Sequence, residues 1–165
     1  MRYTLVDKEP KTFVLVFETN DELAQVIKKF SSEQKLASAS FKAIGALSSV
    51  RLGWLNWETK QYEPCVSLDE QVELLSLIGD VASKDGEPQI HSHAVIGKRD
   101  GTAHGGHLLQ ARVRPTCEVV LTESPVHLRK EFRCRDRVDQ VIGFVCSHRR
   151  RGREKLSGVQ GSQRH

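Results

Sequence analysis

Four of the chain's seven histidines fall between Gly86 and Leu109, in the stretch GEPQIHSHAVIGKRDGTAHGGHLL. His91 and His93 are two residues apart, so a β-strand projects both from one face. Downstream, Arg99-Asp100-Gly101 has the composition of a three-residue hairpin loop, a type I turn closed by glycine in the left-handed region. Such a loop pairs Lys98 with Thr102, Gly97 with Ala103, Val95 with Gly105 and His93 with His107. Directly opposed residues share a face, so His107 lands beside His93 and diagonal to His91. Three imidazoles then meet over one patch, and Gly105 on the same face leaves space above it. That is the ligand set of a tetrahedral ion that keeps one position for water or a ligand. A two-residue loop would put His107 on the far face, so the loop length decides the matter.

Zinc is the first expectation for a three-histidine site; nickel and iron accept the same ligands, since geometry and availability select among them. The alternative is a metal-free polar pocket. His104 faces away from the other three by strand alternation and is expected to be an exposed loop residue. His127, His148 and His165 lie in polar surroundings and carry no signal. A bound ion would lower the pKa of water or polarise a carbonyl, and turnover would also need an acid or base. The candidates are Glu87, four residues before His91, and Glu118 on a later strand. Each also has a plain structural reading, Glu87 as a turn residue and Glu118 as an edge or interface charge. No Ser-His-Asp arrangement, phosphate-binding loop or dinucleotide fingerprint is present.

The elements that must position these residues are mostly strands. Arg2 to Leu5 and Thr12 to Phe17 read as strands around the turn-forming Asp7-Lys8-Glu9-Pro10, and the second, apolar at nearly every position, is expected to be covered on both faces. Thr19 and Glu22 have capping-box spacing for a helix whose stripe is Leu23, Val26, Ile27 and Phe30, with Lys28, Lys29 and Glu33 facing solvent. Ala37 to Leu47 reads as a strand or a close-packed turn around Gly45. Ser48 to Trp57 and Gln61 to Leu68 resemble a hairpin about Glu58-Thr59-Lys60, and its two tryptophans, Trp54 and Trp57, are expected in core or cross-strand packing rather than in ligand stacking. Val72 to Ala82 reads as a strand turning through Lys84-Asp85-Gly86 into the histidine strand. Gly106 to Arg114 and Glu118 to Thr122 are expected to be two strands broken by Pro115. The sum is an α+β chain with a largely antiparallel sheet and a few flanking helices.

At 165 residues a single domain is expected. No run approaches a membrane span, no signal-peptide pattern is evident, and a cytoplasmic protein is expected. Cys65, Cys117, Cys134 and Cys146 lack C-x-x-C spacing and read as reduced and structural. The net charge of +4 is a property of one end, because residues 147–165 carry +5 and leave the remainder at −1. A basic excess confined to a tail argues against a nucleic-acid surface on the folded part. Residues 1–132 are thus expected to form the domain, and residues 133–165 a basic, partly disordered tail.

The stretch from Gly86 to Leu108 resembles the signature of the PPC domain, the plant and prokaryote conserved domain: a Gly-Glu-Pro turn, H-x-H, a Gly and Asp-Gly turn, then Gly-Gly-His-Leu. The MRY start, ASF-x-x-I-G-A-L at Ala39 to Leu47 and EVVLTE at Glu118 to Glu123 agree with it, and the likeness covers roughly Met1 to Phe132. It implies a compact α+β domain assembled as a homotrimer, with His91, His93 and His107 matching the metal-binding triplet of prokaryotic members; at the position such an ion would leave open, a small anionic or carbonyl ligand is expected. A remote likeness of fold to acetolactate decarboxylase, which holds zinc with H-x-H plus a distal histidine, is what suggests a lyase or hydrolase role. Plant members are nuclear and bind A/T-rich DNA through an AT-hook ahead of this domain. Here the chain opens directly on the domain, so no hook is expected before it. DNA binding would have to rest on the tail arginines Arg149, Arg150, Arg151 and Arg153, and Glu154 stands where a hook core needs proline, facing the phosphates.

Overall fold

The computed structural model describes residues 1–84, 86–124, 128–132 and 142–146. In chain order they form β1 (Arg2–Lys8), β2 (Lys11–Phe17), helix α1 (Leu23–Glu33), β3 (Ser38–Asn56), β4 (Gln61–Leu68), β5 (Val72–Lys84), β6 (Glu87–Gly97), β7 (Ala103–Glu123), β8 (Leu128–Phe132) and β9 (Ile142–Cys146). Two strands, β3 at 19 residues and β7 at 21, are long enough to change partners along their length. Residues 38–47 of β3 pair with β5, β5 pairs with β6, β6 pairs with the first residues of β7, and β7 returns to β3. Four antiparallel strands therefore close into a ring, to which β1 and β2 add beside β7 and β4 adds beside β3. β8 and β9 form a separate two-stranded sheet.

Strand alternation gives the ring an apolar inner face. Phe41, Leu47, Leu52, Leu77, Val81, Ala94, Ile96 and Leu108 are all buried. Helix α1 adds its stripe of Leu23, Ile27 and Phe30 to the same core, with Val26 packed alongside. Phe30 meets the edge of Phe13 at 5.0 Å between ring centroids. Burying a side chain of this size contributes about 1.5–3 kcal/mol. None of the described helices is long and apolar enough to cross a membrane.

Several expectations need correction. The antiparallel sheet is as read, but the fold is dominated by strand: among the described residues there is one helix, not a few. Its N-cap is Glu22, whose carboxylate accepts from the Gln25 N–H at 2.8 Å and from Ala111 N–H at 3.2 Å. Thr19 instead donates to the Pro115 carbonyl. In β2, Phe13, Leu15 and Phe17 are buried while Val14 and Val16 are half-exposed, so one face is covered rather than both.

Pro115 does not break β7. Between the pairs Gly45–Cys117 and Leu47–Val113, β7 advances four residues while β3 advances two. The proline sits in that bulge, where a missing N–H removes nothing from the ladder. Trp54 and Trp57 are 69% and 66% exposed. The β3–β4 hairpin carries them past the core, and Trp57 holds the Lys60 ammonium 4.8 Å above its ring.

Gly45 fixes where β3 crosses β7. A Cβ built there would lie 2.6 Å from both Cys117 Cα and the Thr116 carbonyl oxygen, and neither can move away without shifting the strand. Gly45→Ala is expected to cost about 1–3 kcal/mol, read as a lower urea midpoint at unchanged slope.

Candidate metal centre

The site begins with the loop. Lys98 N–H donates to the Thr102 carbonyl at 2.9 Å, Gly101 N–H donates to the Lys98 carbonyl at 3.0 Å, and Gly101 has φ +83°. Asp100 closes the turn, its Oδ1 accepting from the Thr102 N–H at 3.0 Å and from the Thr102 hydroxyl at 2.6 Å. The loop has three residues, so Gly97 pairs with Ala103, Val95 with Gly105 and His93 with His107.

That register brings the three imidazoles together. Ring centroids are 5.2 Å apart for His91–His93, and 5.3 Å for both His91–His107 and His93–His107. One ligand nitrogen from each ring can be chosen so that all lie within 4.8 Å of one another. Four-coordinate zinc, with Zn–N near 2.0–2.1 Å, spaces its nitrogens about 3.3 Å apart. The three donors thus stand up to about 1.5 Å wider than a bound zinc ion would hold them. Gly105 is exposed, but an added Cβ would meet the Ala94 carbonyl oxygen at 3.4 Å and Val95 Cγ2 at 3.6 Å, ordinary contact rather than the open space expected there.

The three rings differ in exposure. His93 is exposed, His91 intermediate, and His107 buried at 4%. His107 lies between β6 and β3, opposite Gly53, and the ring of Tyr62 from β4 stacks on it at 3.8 Å and 17°. Burial, and then the like charges of His91 and His93, push the His107 pKa down to about 4. Its Nδ1 is buried without a hydrogen-bond partner among the described residues. A neutral imidazole with an orphaned buried nitrogen, beside two more imidazoles, fits a divalent ion. Burial also raises the Tyr62 pKa, keeping that phenol neutral.

The other predicted residues lie elsewhere. Glu87 opens β6 opposite Lys84, exposed and four residues, or about 13 Å of strand, from His91. It borders a cavity with Gln25, Lys28 and Ser32 of the helix. Glu118 lies opposite Val16 and Ile44, at the rim of a separate cavity of about 590 Å³ with Leu75 and Pro115. Neither carboxylate belongs to the histidine cluster. His104 faces away as expected, but it lies in β7 opposite Ile96 and is half-buried. Cys65 and Cys117 are free, and burial pushes the Cys117 thiol up to about 12. His127, His148, His165 and the arginines Arg149, Arg150, Arg151 and Arg153 fall outside the described residues.

Sequence reasoning missed two neighbours of the triad. Tyr62 gave no signal, because its place over His107 depends on β4 and β7 flanking β3. Asp80 was legible: once Lys84 and Glu87 close a tight turn, counting back along both strands puts Asp80 opposite His91.

With the fold and this centre in view, comparison with known proteins places the chain in a family. Residues 6–125 match the Plants and Prokaryotes Conserved (PCC) domain, and the chain belongs to that family. A metal-containing protein from Archaeoglobus fulgidus is 32% identical over 82% of this chain and 92% of its own, with a TM-score of 0.68. A plant- and prokaryote-conserved protein from Pyrococcus horikoshii is 30% identical over 81% and 90%, with a TM-score of 0.69. A candidate DNA-binding protein from Ralstonia eutropha JMP134 is 27% identical over 81% and 90%, with a TM-score of 0.71. None of the curated proteins matches.

The depressed His107 pKa sets a pH dependence. The folded value, about 4, lies below the ordinary 6.5, so the unfolded chain binds the extra proton between them. Metal-free protein is therefore expected to be steadily stable above pH 6.5 and to lose up to about 3 kcal/mol as pH falls toward 4. Urea titrations across that range check it, and His107→Phe should flatten the slope.

Proposed function

We propose that residues 1–132 form a cytoplasmic metal-binding domain in which His91, His93 and His107 hold a divalent ion, zinc in the first instance. The observation that carries this reading is His107, buried, neutral and with an orphaned Nδ1, converging with two further imidazoles at 5.3 Å. The metal-containing relative from Archaeoglobus fulgidus supports it. Bound there, the ion would polarise a carbonyl or lower the pKa of a water, the chemistry of a lyase or hydrolase. The protein's own part is to supply three imidazole donors, to shield His107 beneath Tyr62 and to leave the exposed Gly105 side for a small anionic or carbonyl ligand. Protein purified without an affinity tag is expected to carry close to one metal ion per chain, and His93→Ala to lose it. Elemental analysis finding none in the unaltered protein would end this reading.

The assembly proposed is a homotrimer, as the family resemblance implies. The outer face of β3, β5 and β6 supports self-association, since Ile44, Leu75, Ile78 and Val95 all stand exposed there. Light scattering is expected to give three times the chain mass, and Ile78→Glu to reduce it.

A second reading, DNA binding, is favoured by the Ralstonia eutropha relative and by the +5 charge of residues 147–165. It requires an affinity that falls steeply with salt and disappears when Arg149 to His165 is deleted. Binding unchanged by that deletion would remove the tail from the account.

A further inference from the structure

We infer that Asp80 is a positioning residue for His91: its carboxylate takes the imidazole N–H that a metal ion would not use, fixing the tautomer and turning the other nitrogen toward His93 and His107. This rests on the metal-binding reading for its purpose, though one arm of its test does not.

Three observations converge. The β5–β6 ladder runs in unbroken register from Lys84–Glu87 to Ser76–Val95, which sets Asp80 directly opposite His91 on the outer face. Opposed side chains have Cβ atoms about 4.5–5.5 Å apart, and a carboxylate oxygen and an imidazole nitrogen each extend roughly half that distance. Hydrogen-bond reach therefore follows from the register.

The strands are also pressed together at this point. A Cβ on Gly79 would lie 2.6 Å from Ser92 Cβ and 2.7 Å from the His91 carbonyl oxygen, and would strike the Phe41 ring. Only a residue without a side chain lets β5 close on β6 beside the triad.

Finally, Asp80 is half-buried rather than freely solvated. Removing a carboxylate oxygen from water is costly unless a donor faces it. The residues opposed to Asp80 are His91 on β6 and Ser40 on β3, and of these only His91 belongs to the triad. A histidine ligand whose second nitrogen donates to a carboxylate is held in one ring orientation and is the more basic for it.

Two measurements on the full chain test this. Zinc(II) affinity, by competition with a chromophoric chelator, is expected to fall about 10- to 100-fold in Asp80→Ala. In metal-free protein above pH 7, imidazole ¹⁵N spectra are expected to show one dominant His91 tautomer, giving way to a mixture in the variant. Should Asp80→Ala fail to fold, Asp80→Asn is read in the same way, with a smaller change of the same sign. Unchanged His91 tautomer populations overturn the inference even if zinc affinity falls, because the loss would then be one of charge alone. Unaltered protein that binds no zinc defeats the preceding proposal instead, and the metal-free spectra still decide the role of Asp80.

Discussion

The structure depends most on the parity of one short loop. With Lys98 and Thr102 joined across three residues, His107 shares a face with His91 and His93. With two residues between the strands, every side chain of early β7 would change sides: His107 would enter the core and Leu108 would meet solvent. The loop is secured locally, by the positive φ of Gly101 and by Asp100 accepting from both the backbone and the hydroxyl of Thr102. It is secured globally as well, because Leu108, Ala111 and Val113 are buried only in this register. Burial of several large apolar groups outweighs any preference the loop has alone, and the alternation of β7 with its neighbours leaves a single solution.

Ring closure turns that parity into an environment. Were β7 an edge strand, His107 would be as exposed as His93. Because β7 continues into pairing with β3, Gly53 lies on the other side of His107 and Tyr62 reaches across from β4 to cover it. The same closure lowers the His107 pKa and strips its Nδ1 of solvent. One strand pairing thus converts a surface histidine into a neutral, desolvated donor, while His93 on the neighbouring strand keeps its contact with water.

Legibility in the sequence followed the range of the interactions. The hairpin of β6 and β7 could be read because its turn residues, Asp100 and Gly101, lie within the segment they shape. The apolar stripe of α1 could be read for the same reason. Pro115 misled because its tolerance depends on a bulge opposite Ala46, more than sixty residues away in the chain. Trp54 and Trp57 misled because strand propensity says that an aromatic fits a sheet, not whether the sheet has outrun its core. The helix cap moved from Thr19 to Glu22 because Glu22 also receives the Ala111 N–H, a contact made by the fold rather than by the helix.

The graded exposure of the triad bears on how it could work. A site meant only to hold its ion permanently would gain by burying all three ligands, since structural centres are closed. Here the enclosure is one-sided: His107 is sealed by Tyr62, His91 is partly covered, and His93 opens to solvent beside Gly105 and the exposed side chains of Ile78 and Val95. Such a centre would be anchored from behind and approached from in front.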